Sequence, residues 1–173
     1  MTFTRSQLVL QLDNLTRDGD LPVLLGVADA HGLPRHYWLA INSRETNCVN
    51  ELGDYQGGEH HGVGMDQVDI QHDIARQARD NGTWNTPAGF KALQDFGAAL
   101  LQSYVHRVLE AWGQANVDAE ALRVAAAGYN AGVESALDAE DAGNCDTVTT
   151  GGDYGKDVMA RAAIFAQLLA AKP

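Results

Sequence analysis

Between Pro87 and Gly113 the chain carries Phe90, Leu93, Gly97, Leu100, Leu101, Tyr104, Val108 and Trp112, mostly three or four residues apart. That period keeps the apolar groups on one face of an α-helix. Thr83-Trp84-Asn85-Thr86-Pro87 supplies the start, with a capping side chain at Asn85 or Thr86 and proline just inside. A helix of this length commits the chain to a mainly helical fold, and the rest of the sequence agrees. Ser6 to Leu15 and Leu21 to Ala30 read as helices, the second closed by His31-Gly32. Pro34 opens a third, Asp118 caps one running to Gly128, and Tyr154 to Ala171 forms the last. Residues 48 to 69 break the pattern with Gly53, Gly57, Gly58, Gly62 and Gly64 in polar surroundings, so loops and a short hairpin are predicted there. A short helix is predicted from Asp69 to Arg79, ended by Asp80-Asn81-Gly82.

At 173 residues, 45% hydrophobic and 20% charged, one globular domain with its own core is expected. No apolar run approaches a membrane span, and the segment after Met1 to Arg5 is interrupted by Gln11 and Asp13, so no signal peptide is visible. The net charge of −11 excludes nucleic acid as a partner, because counterion release needs clustered Lys and Arg. It also disfavours long-range attraction of anionic polymers, leaving short-range contacts in a cleft. The two cysteines, Cys48 and Cys145, permit one disulfide without demanding it.

Glu45 falls in helical register with Trp38 and Ile41 and so continues an apolar stripe. A carboxyl held against hydrophobic side chains loses hydration of its charged form and keeps its proton to higher pH, as a general acid requires. The bland alternative is a solvated glutamate at a helix end. Asp54 follows Gly53, and Asp69 ends the run Gly62-Val63-Gly64-Met65-Asp66-Gln67-Val68-Asp69. Carboxyls of contrasting environment suit acid/base cleavage of a glycosidic bond. The glycines of that run either make a tight turn or let backbone approach a sugar closely. Alternation around Val68 places Gln67 and Asp69 on one side. Tyr129 and Asn130 lie at the end of a helix and offer a ring with a polar tip and an amide suited to an N-acetyl group; the bland alternative is that Asn130 and Gly132 are merely stop signals. Glu59-His60-His61 and His72-Asp73 lack the spacing of HExxH or CxxC, so neither metal nor cofactor is expected.

The ordered set Ser43-Arg44-Glu45, Gly53-Asp54, Gly62 to Asp69, Gly82-Thr83-Trp84-Asn85, Tyr129-Asn130-Ala131-Gly132 and Thr149 through Tyr154 to Ala162 resembles goose-type lysozyme. That family lies within the superfamily shared with soluble lytic transglycosylases. The resemblance covers roughly residues 35 to 165, leaving 1–33 as an N-terminal helical extension without a counterpart. It implies a lysozyme-like helical domain with a loop-rich or short β-hairpin insert beside the cleft. It further implies a monomer acting on peptidoglycan glycan strands at the cell wall, outside the cytoplasm or secreted. By position Glu45 matches the proton donor, and Asp54 and Asp69 match the pair that positions and activates water. Gln67, Tyr129, Asn130, Tyr154 and His72 match substrate-binding positions. Retention of both aspartates points to hydrolysis with inversion rather than transglycosylation, and speaks against a module that only binds. Two departures stand out: Asp66 replaces a large apolar residue, and His72 follows Asp69 by three residues instead of four. Because the fold implied by the resemblance brings Cys48 and Cys145 around one cleft, a disulfide between them is expected.

Overall fold

The computed structural model describes residues 3–171, which form eight α-helices and two small antiparallel hairpins. Helix α1 (Arg5–Asp18) begins with a reciprocal cap: the Thr4 hydroxyl accepts from Gln7 N–H, and the Gln7 side chain accepts from Thr4 N–H at 2.7 Å. It stops at Gly19, whose φ of +85° lies in the left-handed region that glycine enters without steric cost. Helices α2 (Leu21–Ala30) and α3 (Arg35–Thr46) follow. Pro34 sits immediately before α3 as its cap, one place earlier than a first-turn proline would.

The glycine-rich segment makes two hairpins where one was expected. Strands β1 (Tyr55–Gln56) and β2 (Glu59–His60) turn through Gly57-Gly58, both at positive φ as the tightest hairpin turn requires. Strands β3 (Gly62–Val63) and β4 (Val68–Asp69) pair Gly62 with Asp69 and Val63 with Val68. Helix α4 (Asp73–Asp80) starts later than predicted, since the Asp69 carboxylate accepts from Gln71 N–H at 2.7 Å and holds a turn there.

Helix α5 (Pro87–Trp112) is capped by Thr86, whose hydroxyl accepts from Gly89 N–H at 3.1 Å. Helix α6 (Ala119–Ala131) does not stop at Gly128 as the sequence suggests. A Cβ there would lie 2.9 Å from Val133 Cα, so this glycine serves close packing, and the chain turns at Gly132 (φ +88°). Helix α7 (Val133–Asp141) and a 3₁₀ turn (Cys145–Val148) were not anticipated, although Val133, Ala136, Leu137 and Glu140 keep helical spacing. Helix α8 (Tyr154–Ala171) ends the described chain and packs along α3.

Two cores result. The larger one joins Leu8 and Leu12 of α1, Leu24, Trp38, Ile41, Leu101, Val124 and Phe165, each almost completely buried. Every such side chain contributes about 1.5–3 kcal/mol of transfer free energy. The smaller one collects Val63, Val68, Ile70, Ala75, Ala78 and Leu93, clamping the β3–β4 hairpin and α4 onto α5. A cleft opens between the two.

Candidate active site

Helix α3 is buried on all sides from Tyr37 through Ser43, so the stripe of Trp38 and Ile41 does not by itself single out Glu45. Glu45 is distinctive because it lies on the last turn, where the helix emerges into the cleft. Its neighbours fix the end of that helix. Arg44 pairs with Asp153 (2.9 Å) and Asp157 (3.4 Å) and lies over the ring of Tyr154. Arg161 pairs with Asp157 (2.7 Å) and donates to the backbone carbonyl (3.2 Å) and hydroxyl (2.8 Å) of Ser43. The Ser43 hydroxyl in turn donates to Gln11 at 2.6 Å, tying α1 to the site. Sequence reading missed this network. Its signal was a basic residue within the Ser-Arg-Glu motif, and Asp157 and Arg161 one helical turn apart.

The start of α8 is built with equal care. Asp146 accepts from Gly155 N–H (2.5 Å) and Lys156 N–H (3.1 Å), placing a carboxylate on the positive end of the helix. The Thr149 hydroxyl accepts from Tyr154 N–H at 3.3 Å. Tyr154 is thereby delivered under Glu45, and its hydroxyl donates to Glu45 Oε1. At 3% exposure Tyr154 lines neither lobe of the cleft; it holds Glu45 instead of offering a free surface to a ligand. Burial pushes the Glu45 carboxyl up to about 7, against the opposing pull of the Tyr154 hydrogen bond and the Arg44 charge.

Glu45, Gln67, Asp69 and Asn130 line both lobes of the cleft. One lobe, about 380 Å³, continues along His72, Leu100, Tyr104 and Tyr129. The other, about 420 Å³, continues along Asp54, Gln56, His61 and Gly62. The structure thus brings together a half-buried acid, Glu45, and two exposed aspartates, Asp54 and Asp69. His72 reaches the cleft but packs its ring against Phe96 at 4.9 Å. Asn130 accepts from Thr150 N–H at 2.8 Å, so its carbonyl oxygen already fastens α6 to the loop before α8.

Gly53 and Gly62 make room for a side chain of the protein itself. Gln67, with φ of +52°, threads its amide between them, and a Cβ on Gly53 or Gly62 would lie 1.8 or 2.2 Å from Gln67 Oε1. The amide donates to Gly64 O at 2.7 Å, which pins the hairpin loop.

The disulfide expectation is wrong: Cys48 and Cys145 are both free and buried. Asn47 and Cys48 both adopt positive φ, and the Cys48 thiol lies 3.8 Å from Gln11 Oε1 and 4.0 Å from Leu39 O. Cys145 opens the 3₁₀ turn against α7, its N–H donating to Glu140 at 2.8 Å. Burial pushes both thiols up to about 12. Among the described residues no three His, Cys, Asp or Glu side chains converge to hold a metal ion.

Comparison with known proteins gives the same picture from outside. A lysozyme g of Takifugu rubripes is 31% identical over 125 residues, covering 70% of this chain and 60% of that protein. The chain therefore spans less than two thirds of that relative's length. The family model described as Lysozyme g matches residues 22–168. The match takes in nearly all of α2 as well as every cleft residue named above, starting well before the resemblance read from motifs alone. Since it covers most of the sequence, from α2 into the last helix, the chain belongs to the lysozyme g family.

Proposed function

We propose that this protein is a peptidoglycan hydrolase that cleaves the β-1,4 bond between N-acetylmuramic acid and N-acetylglucosamine. The observation that carries the reading is Glu45: a carboxyl kept protonated to about pH 7 by burial, in a cleft it shares with Asp54 and Asp69. Glu45 gives its proton to the departing glycosidic oxygen. Asp54 and Asp69 orient and deprotonate a water that attacks the other face of the sugar, with inversion at the anomeric carbon. Such an arrangement needs roughly 6.5–9.5 Å between acid and base to admit the water. Gln67, Tyr129, Asn130 and His72 hold the glycan strand, and Tyr154 orients Glu45. The protein acts as a monomer at the cell wall, outside the cytoplasm. No helix among the described residues is long and apolar enough to cross a membrane.

Digestion of purified peptidoglycan followed by mass spectrometry tests the reading. Reducing muramic ends are expected; 1,6-anhydro ends would instead mean intramolecular attack by the sugar 6-hydroxyl. Glu45→Gln should lower turnover by about 10²–10⁴-fold, the usual contribution of a general acid, with the fold intact. Near-full activity in that variant would remove Glu45 from the mechanism.

A further inference from the structure

The proposed chemistry employs Glu45, Asp54 and Asp69 and leaves the acid beside them, Asp66, without a part. Asp66 is 0% exposed, and neither of its carboxyl oxygens has a hydrogen-bond partner. The Gln94 amide abuts it with both polar atoms also buried and unpartnered, as is Asn50 Oδ1 nearby. The carboxyl is wedged between the β3–β4 loop and α5. A Cβ on Gly97 would lie 2.1 Å from Asp66 Oδ2 and 2.8 Å from the Tyr129 hydroxyl oxygen, and one on Gly64 would lie 3.3 Å from Asp66 Oδ1. Only a bare Cα at position 97 admits this acid.

An ionised carboxylate in such a place is an uncompensated buried charge. The groups facing it compensate only in part: its own backbone N–H and the Gln94 amide draw the carboxyl down, but no cation faces it. Glu45 on α3 is itself an acid, Tyr129 on α6 is a phenol, and α5 and the loops present the uncharged Gln94, Gly97 and Asn50. Burial pushes Asp66 up to about 7, with Glu45 adding to the rise, against the downward pull of its own backbone N–H and of the Gln94 amide. A neutral carboxylic acid carries no buried charge and can use both ends of the abutting Gln94 amide, donating its O–H to the amide oxygen and accepting from the amide N–H.

We propose that Asp66 is a positioning residue for the cleft: as a neutral acid it latches the Gly64–Asp69 loop to α5, and the latch releases when its proton is lost. The residues it holds are adjacent. Gln67 and Asp69 belong to the same loop, and the Asp66 backbone carbonyl accepts from the Tyr129 hydroxyl at 3.1 Å. Loss of the proton therefore loosens three cleft residues together. The latch is a property of the fold; only its effect on turnover rests on the glycosidase reading above.

Carboxyl ¹³C NMR of the full chain measures the proton directly, with Asp66→Asn used to assign the signal. A midpoint near 7 is expected, and a midpoint below 5 overturns the proposal. Denaturant unfolding of Glu45→Gln and of Glu45→Gln with Asp66→Asn, at pH 4 and pH 7.5, then isolates the contribution of Asp66. The folding equilibrium constant should fall about 10²–10³-fold more in the variant that retains Asp66, because the folded chain keeps a proton that the unfolded chain has released. Equal declines overturn it. With peptidoglycan as substrate, KM should rise between pH 6 and 8 in wild type and rise clearly less in Asp66→Asn, which keeps only the contribution of Glu45. A role confined to packing would lower stability without changing either pH dependence. If the peptidoglycan assay shows no turnover while NMR and unfolding behave as stated, the proposed function fails and the latch stands. If Asp66→Asn does not fold, the wild-type resonance still decides, assigned by sequential labelling.

Discussion

Tyr154→Phe removes a single oxygen from the site and reads out the tuning of Glu45. Tyr154 is 3% exposed, so a phenylalanine fills the same space. Its hydroxyl donates to Glu45, whose carboxyl is raised by burial and drawn back down by this bond and by Arg44. A hydrogen bond to a charged group is worth about 1.5–3 kcal/mol. At about 1.4 kcal/mol per pKa unit, its loss lifts Glu45 by about one to two units. The alkaline limb of kcat/KM for cell-wall clearing, followed from pH 4 to 10, should move up by that amount, since the limb reports the acid in the free enzyme. Stability follows with a definite sign. The folded value for Glu45 exceeds the reference of 4.5, so the stability it confers is full below about pH 4.5 and is lost as pH rises through the folded value. Relative to wild type, the variant should therefore lose little in urea unfolding at pH 4.5. At pH 9, where wild-type Glu45 is ionised and bonded, the deficit should reach about 1.5–3 kcal/mol. An unmoved or downward-shifted limb would refute the view that the phenol stabilises the carboxylate.

Further outcomes follow from the same geometry. Gly53→Ala places a methyl 1.8 Å from Gln67 Oε1 and 3.2 Å from Gly62 Cα, so the Gln67 amide must leave its slot. Catalytic efficiency should fall about tenfold or more, with a stability loss of about 1–2 kcal/mol by denaturant titration. Asp146→Ala takes the cap from α8 and should cost about 1–3 kcal/mol, with a shift of the pH–rate profile as Tyr154 loses its support. Thiol titration without reductant should find both cysteines reactive in denaturant and neither rapidly reactive in the native chain. Reductant should leave the unfolding midpoint unchanged.

The helices were legible where one face is apolar and the ends carry strong stop signals, as in α5 between Thr86 and Gly113. Helix α7 was not, because its buried face is made largely of alanines, which give little periodic contrast against a polar loop. Gly128 misled for a related reason. A glycine in a helix has two uses, ending it or admitting a neighbour, and only the position of Val133 tells which applies. At the site, Glu45 was found from its sequence environment, yet its actual setting depends on Tyr154 and Arg44, contacts that no helical spacing encodes. Both cysteines are buried on different supports, which residue counting cannot foresee. Asp66 was visible as an acid out of pattern. That it is buried follows only from the bare Cα of Gly97 on a helix thirty-odd residues away, a contact made by the fold rather than by local sequence.

The same carboxyls bear on how a chain of net charge −11 would engage the anionic strand proposed as its substrate. Much of its positive charge is held by its own acids: Arg44 and Arg161 by Asp157, Arg107 by Glu134, Arg123 by Glu120 and Glu140. No lysine or arginine is among the residues lining either lobe of the cleft. Contact with the proposed substrate therefore relies on the uncharged donors of Gln71 and Asn130 and on the imidazoles of His61 and His72. In that setting each ionised carboxyl in or behind the cleft repels the strand over a few ångströms, well inside a screening length of about 8 Å at physiological salt. Burial removes two such charges below about pH 7, one by keeping Glu45 protonated and one by keeping Asp66 neutral. Under the proposed mechanism, the proton that Glu45 gives to the leaving oxygen is thus also one that lets the strand approach. Substrate binding and acid catalysis should weaken together as pH rises through the same range.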